Sequence, residues 1–364
     1  MLGVIIAGLT ALLVFIGIEV AIAWHCDLRS QIPPPAPQSQ DRKEATANIK
    51  DYSRPEDDTY LSYPEWYIVW SYQEKADFQE KHLPSRFPYL AAVRQYWTSY
   101  CCISRLTRGK YTFNGGEQLM LVIIGTSFSA EYVIKGIYEK TLGKLSEWSS
   151  GGAAVAEDHY AYKVAREYAD FVHVRPFYEF HFARHIGGLW RETPPWGQHE
   201  PRKLERRLFL TLDYIAEAFY CWLIEKATHL TYSREPDKTY AWIDDADQSS
   251  VANIATVRVV KQVGPRAFIV EVPRYQEFSK IAAILAQQQM HFVEIAGNTH
   301  IILSVLAPRS WNYDLSGGRQ LFWCTILTHP EMKRVIIGAD VTSLSVVLNN
   351  LRASEINIEH VYDY

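Results

Sequence analysis

The sequence predicts a mixed fold in three parts: an N-terminal transmembrane helix, an all-helical domain of about six helices, and a C-terminal ferredoxin-like α/β sandwich. Three observations carry this expectation. Residues 2–24 form an apolar run interrupted by one charge, Glu19, which is long enough to cross hydrocarbon as a helix. Between Tyr63 and His229 the apolar residues recur at helical spacing. Beyond Asn253 short apolar runs bounded by turn residues replace that period. The boundaries that follow are an anchor at 1–25, a proline-rich and charged linker at 26–60, a helical domain at 61–232 and an α+β domain at 253–364.

The anchor has no basic residue before it, whereas Arg29, Arg42 and Lys43 follow it. The positive-inside rule then places a single-pass protein in the cell membrane with a cytoplasmic body. The linker carries Pro33, Pro34, Pro35 and Pro37, as expected of an extended spacer. Ser62 and Glu65 have the spacing of a capping box, with Pro64 in the first turn of a helix reaching His82. Further helices are expected at 88–107, 117–140, 156–171, 176–190 and 202–229.

The stretch 117–140 organises the helical domain. Leu119 to Ile124 is wholly apolar, whereas Ser127, Glu131, Lys135 and Glu139 recur every four residues and draw one polar stripe along a helix. In the C-terminal part, strands are expected at 267–272, 320–327, 334–339 and 356–362, with helices at 275–288 and 342–352. Residues 291–295 and 300–306 are expected to pair as a hairpin turned at Gly297-Asn298.

Composition excludes several classes of function. With 48% hydrophobic residues the chain is no disordered tail, and a net charge of −4 leaves no basic field to gather nucleic acid. The 23 Tyr and 11 Trp favour membrane interfaces or sites for apolar ligands. Cys26, Cys101, Cys102, Cys221 and Cys324 are odd in number and lack metal-ligand spacing, so they read as free thiols. No phosphate-binding glycine loop is present.

Two constellations remain. His181 and His185 stand four apart, which on a helix places both imidazoles within reach of one metal. Asp213 and Glu217 form a second such pair; with Glu131 and Lys135 they make a candidate polar cluster. Arg206 and Arg207 lie about two turns from the acidic pair and Lys135 lies beside Glu131, so interior ion pairs explain these residues more readily than a metal does. The sequence therefore predicts a membrane-anchored protein whose helical domain lies on the bilayer or binds a lipid-like ligand. Its C-terminal domain would serve regulation or homo-oligomeric assembly. The alternative is a membrane-associated, metal-dependent enzyme acting on an apolar substrate. In a third arrangement 117–138 and 207–228 are themselves spans, which requires their charges to face one another.

Overall fold

A computed structural model describes residues 28–34, 40–194, 196–231 and 238–363, and the expected anchor at 2–24 lies outside them. The fold mixes helix with two antiparallel four-stranded sheets among the described residues. The helices are α1 (Gln40–Thr46), α2 (Asp58–Gln79), α3 (Tyr89–Thr107), α4 (Gly115–Tyr138), α5 (Lys144–Ser149), α6 (Ala156–Val172), α7 (Phe182–Glu192) and α8 (Glu200–Thr231). Then follow β1 (Lys238–Asp244), α9 (Gln248–Ala252), β2 (Arg258–Gly264), β3 (Ala267–Pro273), α10 (Tyr275–Gln287) and β4 (His291–Ile295). The chain ends with β5 (His300–Pro308), β6 (Gly318–Ile326), β7 (His329–Asp340), α11 (Leu344–Ala353) and β8 (Asn357–Val361).

The chain divides into two compact units. Unit 1 comprises 1–66, 95–125 and 236–364, and unit 2 comprises 67–94 and 126–235. The crossings at 66/67, 94/95 and 125/126 fall inside α2, α3 and α4, so each of these helices serves both units.

Unit 1 holds both sheets. The first has strand order β2-β3-β1-β4 and the second β6-β7-β5-β8, so the same order is built twice in succession. Every pairing is antiparallel. Alternation explains β1, in which Thr239, Ala241 and Ile243 are buried while their neighbours are less so. Central β5 is buried from Ile301 through Val305 because it is sandwiched on both faces. The core joins Phe278, Leu285, Leu344 and Leu351 of α10 and α11 to strand residues of both sheets, such as Val270, Leu303 and Ile337. From α2, Tyr63 meets Phe322 edge-on at 5.4 Å, and Trp66 lies 3.7 Å from the His360 ring.

Four expectations are corrected here. Residues 291–295 and 300–306 do not pair as a hairpin: the turn exists, with Gly297 at φ +77°, but β4 joins β1 while β5 is already flanked by β7 and β8. Strands β1 and β2 lie before or near the expected start of the α+β domain, the alternation of β1 masked by the acidic residues that follow it. Ser62 and Glu65 do not open a helix, since α2 begins at Asp58 and Ser62 Oγ donates to Thr59 O within it. Finally, the described part of the linker is docked rather than extended: Arg29 N donates to Leu321 O, and Lys261 Nζ donates to Ala45 O at 2.6 Å. Tyr52 and Arg42 both donate to buried Glu294, at 3.0 and 3.1 Å.

One close approach in unit 1 tests the helix packing. Tyr96 of α3 donates to Leu121 O of α4 at 2.6 Å, and its ring lies where a Cβ on Gly125 would come within 2.1 Å. Gly125→Ala should therefore lose about 1–3 kcal/mol of stability through overpacking, read by chemical denaturation. A loss well under 1 kcal/mol would show that the two helices part without strain.

Candidate functional site

From Arg202 to Glu217, helix α8 carries its charges on the side turned into unit 2. Arg202, Arg206, Asp213 and Glu217 are spaced by four, seven and four residues, one stripe of a helix, and α4 presents Glu131, Lys135 and Glu139 towards them. The helices run antiparallel. Tyr220 donates to Ser127 at 2.8 Å, Lys135 meets Asp213 and Glu217, Tyr138 stacks on Phe209 at 3.5 Å, and Arg206 reaches Glu139.

Lys135 is the centre of the site. Its Nζ lies 2.8 Å from Glu131, 3.1 Å from Asp213 and 3.1 Å from Glu217. Glu131 also accepts from Tyr72 at 2.6 Å and stands 3.7 Å from Lys75, whose ammonium faces the rings of Tyr72 and Tyr132 at 5.2 and 5.4 Å. Burial by itself lowers Lys135, but Asp213, Glu131 and Glu217 prevail and hold it well above the ordinary lysine range. Burial and the neighbouring Lys135 charge lower Lys75. Glu217 is pushed up to about 7, first by burial and then by the Glu131 charge.

A second layer of ion pairs adjoins the first. Arg206 binds Glu139 at 2.7 Å and approaches Asp158 at 2.9 Å, while Arg202 reaches Asp158, Glu205 and the Gly143 carbonyl. Arg207 pairs with Glu157 at 2.8 Å and donates to Thr193 O. The sequence-based pairing of Arg206 and Arg207 with Asp213 and Glu217 is thus replaced: the acidic pair belongs to Lys135. A π-helical turn at Glu139–Gly143 continues α4, and a Cβ on its Gly143 would come 2.7 Å from the Glu139 carboxylate, which would have to shift. These residues enclose a cavity of about 60 Å³ lined by Lys75, Lys135, Glu131, Glu139, Arg206, Asp213, Tyr214 and Glu217, among others. That space suits a few waters or a small ion, not an acyl chain.

The histidines take other roles. His181 precedes α7 as its exposed N-cap residue, with non-helical backbone, so the two imidazoles do not share a helix face. His185 is buried and stacked on Phe180, accepts from Arg184 Nε at 3.2 Å, and is lowered to about 4 by burial and by Arg184. Neither lines the cavity, and no group of His, Cys, Asp and Glu able to hold a metal occurs among the described residues.

The outer face of the same helices is the feature that sequence reasoning missed. Every exposed residue of α8 between Leu204 and Leu223 is apolar, including Leu212 at 67% and Phe219 at 61% exposure. On α4 the exposed residues between Glu117 and Tyr138 are Leu119, Ile123, Ile134 and Ile137. Beyond them Lys140, Lys144 and Trp148 are exposed. By contrast α6 and α7 expose His159, Lys163, Asp170, Arg184 and Arg191. Among the described residues one helical run, Gly115–Ser149, is long and apolar enough to cross a membrane, and its apolar window is 33% buried.

Removing the central cation tests the cluster. Lys135→Met leaves three carboxylates facing one another, and should cost about 3–5 kcal/mol at about pH 8. The loss should shrink at about pH 5, because carboxylates deprived of their cation take up protons more readily. A penalty that does not diminish on acidification would mean that Lys135 acts by packing alone.

Compared with known protein families, curated proteins and solved structures, this chain matches none.

Proposed function

We propose that the chain is a membrane-anchored protein whose helical unit seats on the bilayer through the outer faces of α4 and α8. The observation that carries this reading is the inversion of α8, with all its charges from Arg202 to Glu217 turned inward and only apolar residues outward from Leu204 to Leu223. That apolar stripe is about 28 Å long at helical rise. A contiguous apolar patch of this extent on a soluble monomer marks a contact surface. Trp148, Trp190, Trp196 and Trp222 are also exposed, the residue type favoured at the headgroup level. The polar exposed residues of α6 and α7 argue for a seat in the interface rather than immersion of the whole unit. The size of the cavity in unit 2, about 60 Å³, favours lipid contact at the surface over a lipid held inside this unit.

Residues 2–24 supply the anchor in this reading, and the body is assigned to the cytoplasmic side. Because Arg29 is hydrogen-bonded to the edge strand β6, an anchor ending at Trp24 stands at most about 18 Å from that strand at full extension. Unit 1 is then a module held close to the membrane rather than spaced away from it. The repeated β2-β3-β1-β4 order supports two ferredoxin-like sandwiches in tandem, the second lacking a helix in its first crossover. Assembly of copies or regulation is the role proposed for this module, by analogy of fold.

A chain beginning at Leu28 separates the seat from the anchor. It should sediment with anionic liposomes, and Leu208→Glu with Leu212→Glu should release it to the supernatant without lowering its melting temperature. The reading fails if the truncated native chain stays fully soluble in the presence of liposomes.

A further inference from the structure

The cavity in unit 2 has a charge imbalance that nothing inside it resolves. Four carboxylates, Glu131, Glu139, Asp213 and Glu217, line it against three cations, Lys75, Lys135 and Arg206. The adjoining arginines offer no surplus, since Arg202 is bound to Asp158 and Glu205, and Arg207 to Glu157. One excess negative charge in a largely buried site is expensive unless a proton or cation joins it. Two further groups at the same cavity lack a partner: the Tyr214 hydroxyl, 4% exposed, and Glu139 Oε2, 2% exposed, make no hydrogen bond. An unpaired hydroxyl and an unpaired carboxylate oxygen beside room for a few waters make a path along which a proton can be passed.

We propose that this cavity is a proton-binding site in which Glu217 carries the proton. A proton delivered by water forms an O–H bond on a Glu217 carboxylate oxygen, and the ion pair with Lys135 becomes a hydrogen bond from a charged ammonium to a neutral acid. No other bond is made or broken. Lys135 remains charged, bound to Glu131 and Asp213. Lysine at the centre already occupies the position a metal cation would take, which is why a proton is the ligand.

The groups facing Glu217 favour this assignment. From α4 come Glu131 and Lys135, from α2 Tyr72 and Lys75, from α6 Tyr168, and from α8 itself Asp213 and Cys221. Burial, Glu131 and Asp213 raise Glu217 while Lys135 opposes them, and the balance leaves it at about 7. A carboxyl raised in the fold favours the protonated folded state, so stability contributed through Glu217 falls as pH rises from about 4.5, its ordinary value, to about 7, and is level above. This site is independent of the lipid seat proposed above, and its test does not involve a membrane.

Infrared difference spectroscopy of the full chain in detergent, titrated from about pH 5 to about pH 9, reads the proton directly. On a Glu205→Gln background a protonated-carboxyl band should disappear with a midpoint near 7, be missing once Glu217→Gln is added and return, shifted, with Glu217→Asp. Glu205 is likewise raised to about 7 by burial, so Glu205→Gln must leave the Glu217 band in place. Glu217→Gln should also melt above the native protein at about pH 9 and together with it at about pH 5, which shows that it folds. On the Glu205→Gln background, a band that survives Glu217→Gln, or no titrating band at all, overturns the proposal. A midpoint that falls as sodium is raised at constant ionic strength also overturns it, by making a metal cation the ligand.

Discussion

The helical unit depends on one constraint: the charges that α4 and α8 carry in their interiors must meet each other. Lys135 against Glu131, Asp213 and Glu217, then Arg206 against Glu139 and Asp158, form successive rungs between two antiparallel helices. Each rung offsets part of what its members lose on leaving water. Rotating α8 to bury its leucines instead would leave Lys135 with two fewer partners and Arg206 with none of its own on α4. The polar stripe therefore determines which way the helix faces, and the apolar residues go where the charges are not.

This also explains how much of the site was legible in the sequence. Spacing alone brought Glu131 and Lys135 onto one stripe and Asp213 and Glu217 onto another, because i, i+4 geometry is local. Partnership is not local. Arg206 finds Glu139, 67 residues earlier in the chain, and Arg207 finds Glu157, 50 residues earlier, whereas proximity in sequence suggested Asp213 and Glu217. The orientation of the stripe was equally hidden: periodicity divides a helix into two faces, but the rule that the apolar face turns inward holds only for a surface in water. His181 shows the limit of a motif read without its backbone, since the chain becomes helical only at Phe182.

In unit 1 the legible parts were those with strong period and clear punctuation. Helices α10 and α11 and strands β3, β5, β6, β7 and β8 follow from apolar runs bounded by Gly, Pro or Asn. Strand β1, the central member of its sheet, was lost because Asp244, Asp245 and Asp247 give its C-terminal end the composition of a boundary. Partner choice failed at β4 and β5 for a different reason. A tight turn brings two strands together, but each strand has two edges, and those of β5 are taken by β7 and β8. The docked segment 40–57 escaped notice because its contacts are single polar groups, such as Tyr52 and Arg42 on Glu294, rather than a periodic face.

The buried charges and the exposed leucines belong to one physical arrangement. In water two demands on α8 compete: burying Leu204, Leu208, Leu212 and Phe219 contributes favourably, but turning the helix to do so strips Lys135 of two partners. Against an apolar phase the two no longer compete. Outward leucines then cost nothing, and the ion pairs behind them, screened from water by those same side chains, are strengthened by the lower dielectric. The same screening raises the cost of the carboxylate charge that the cluster holds in excess of its cations, and burial with the Glu131 charge raises Glu217 in particular. The lipid seat and the proton site proposed above thus draw on the same inversion of a single helix.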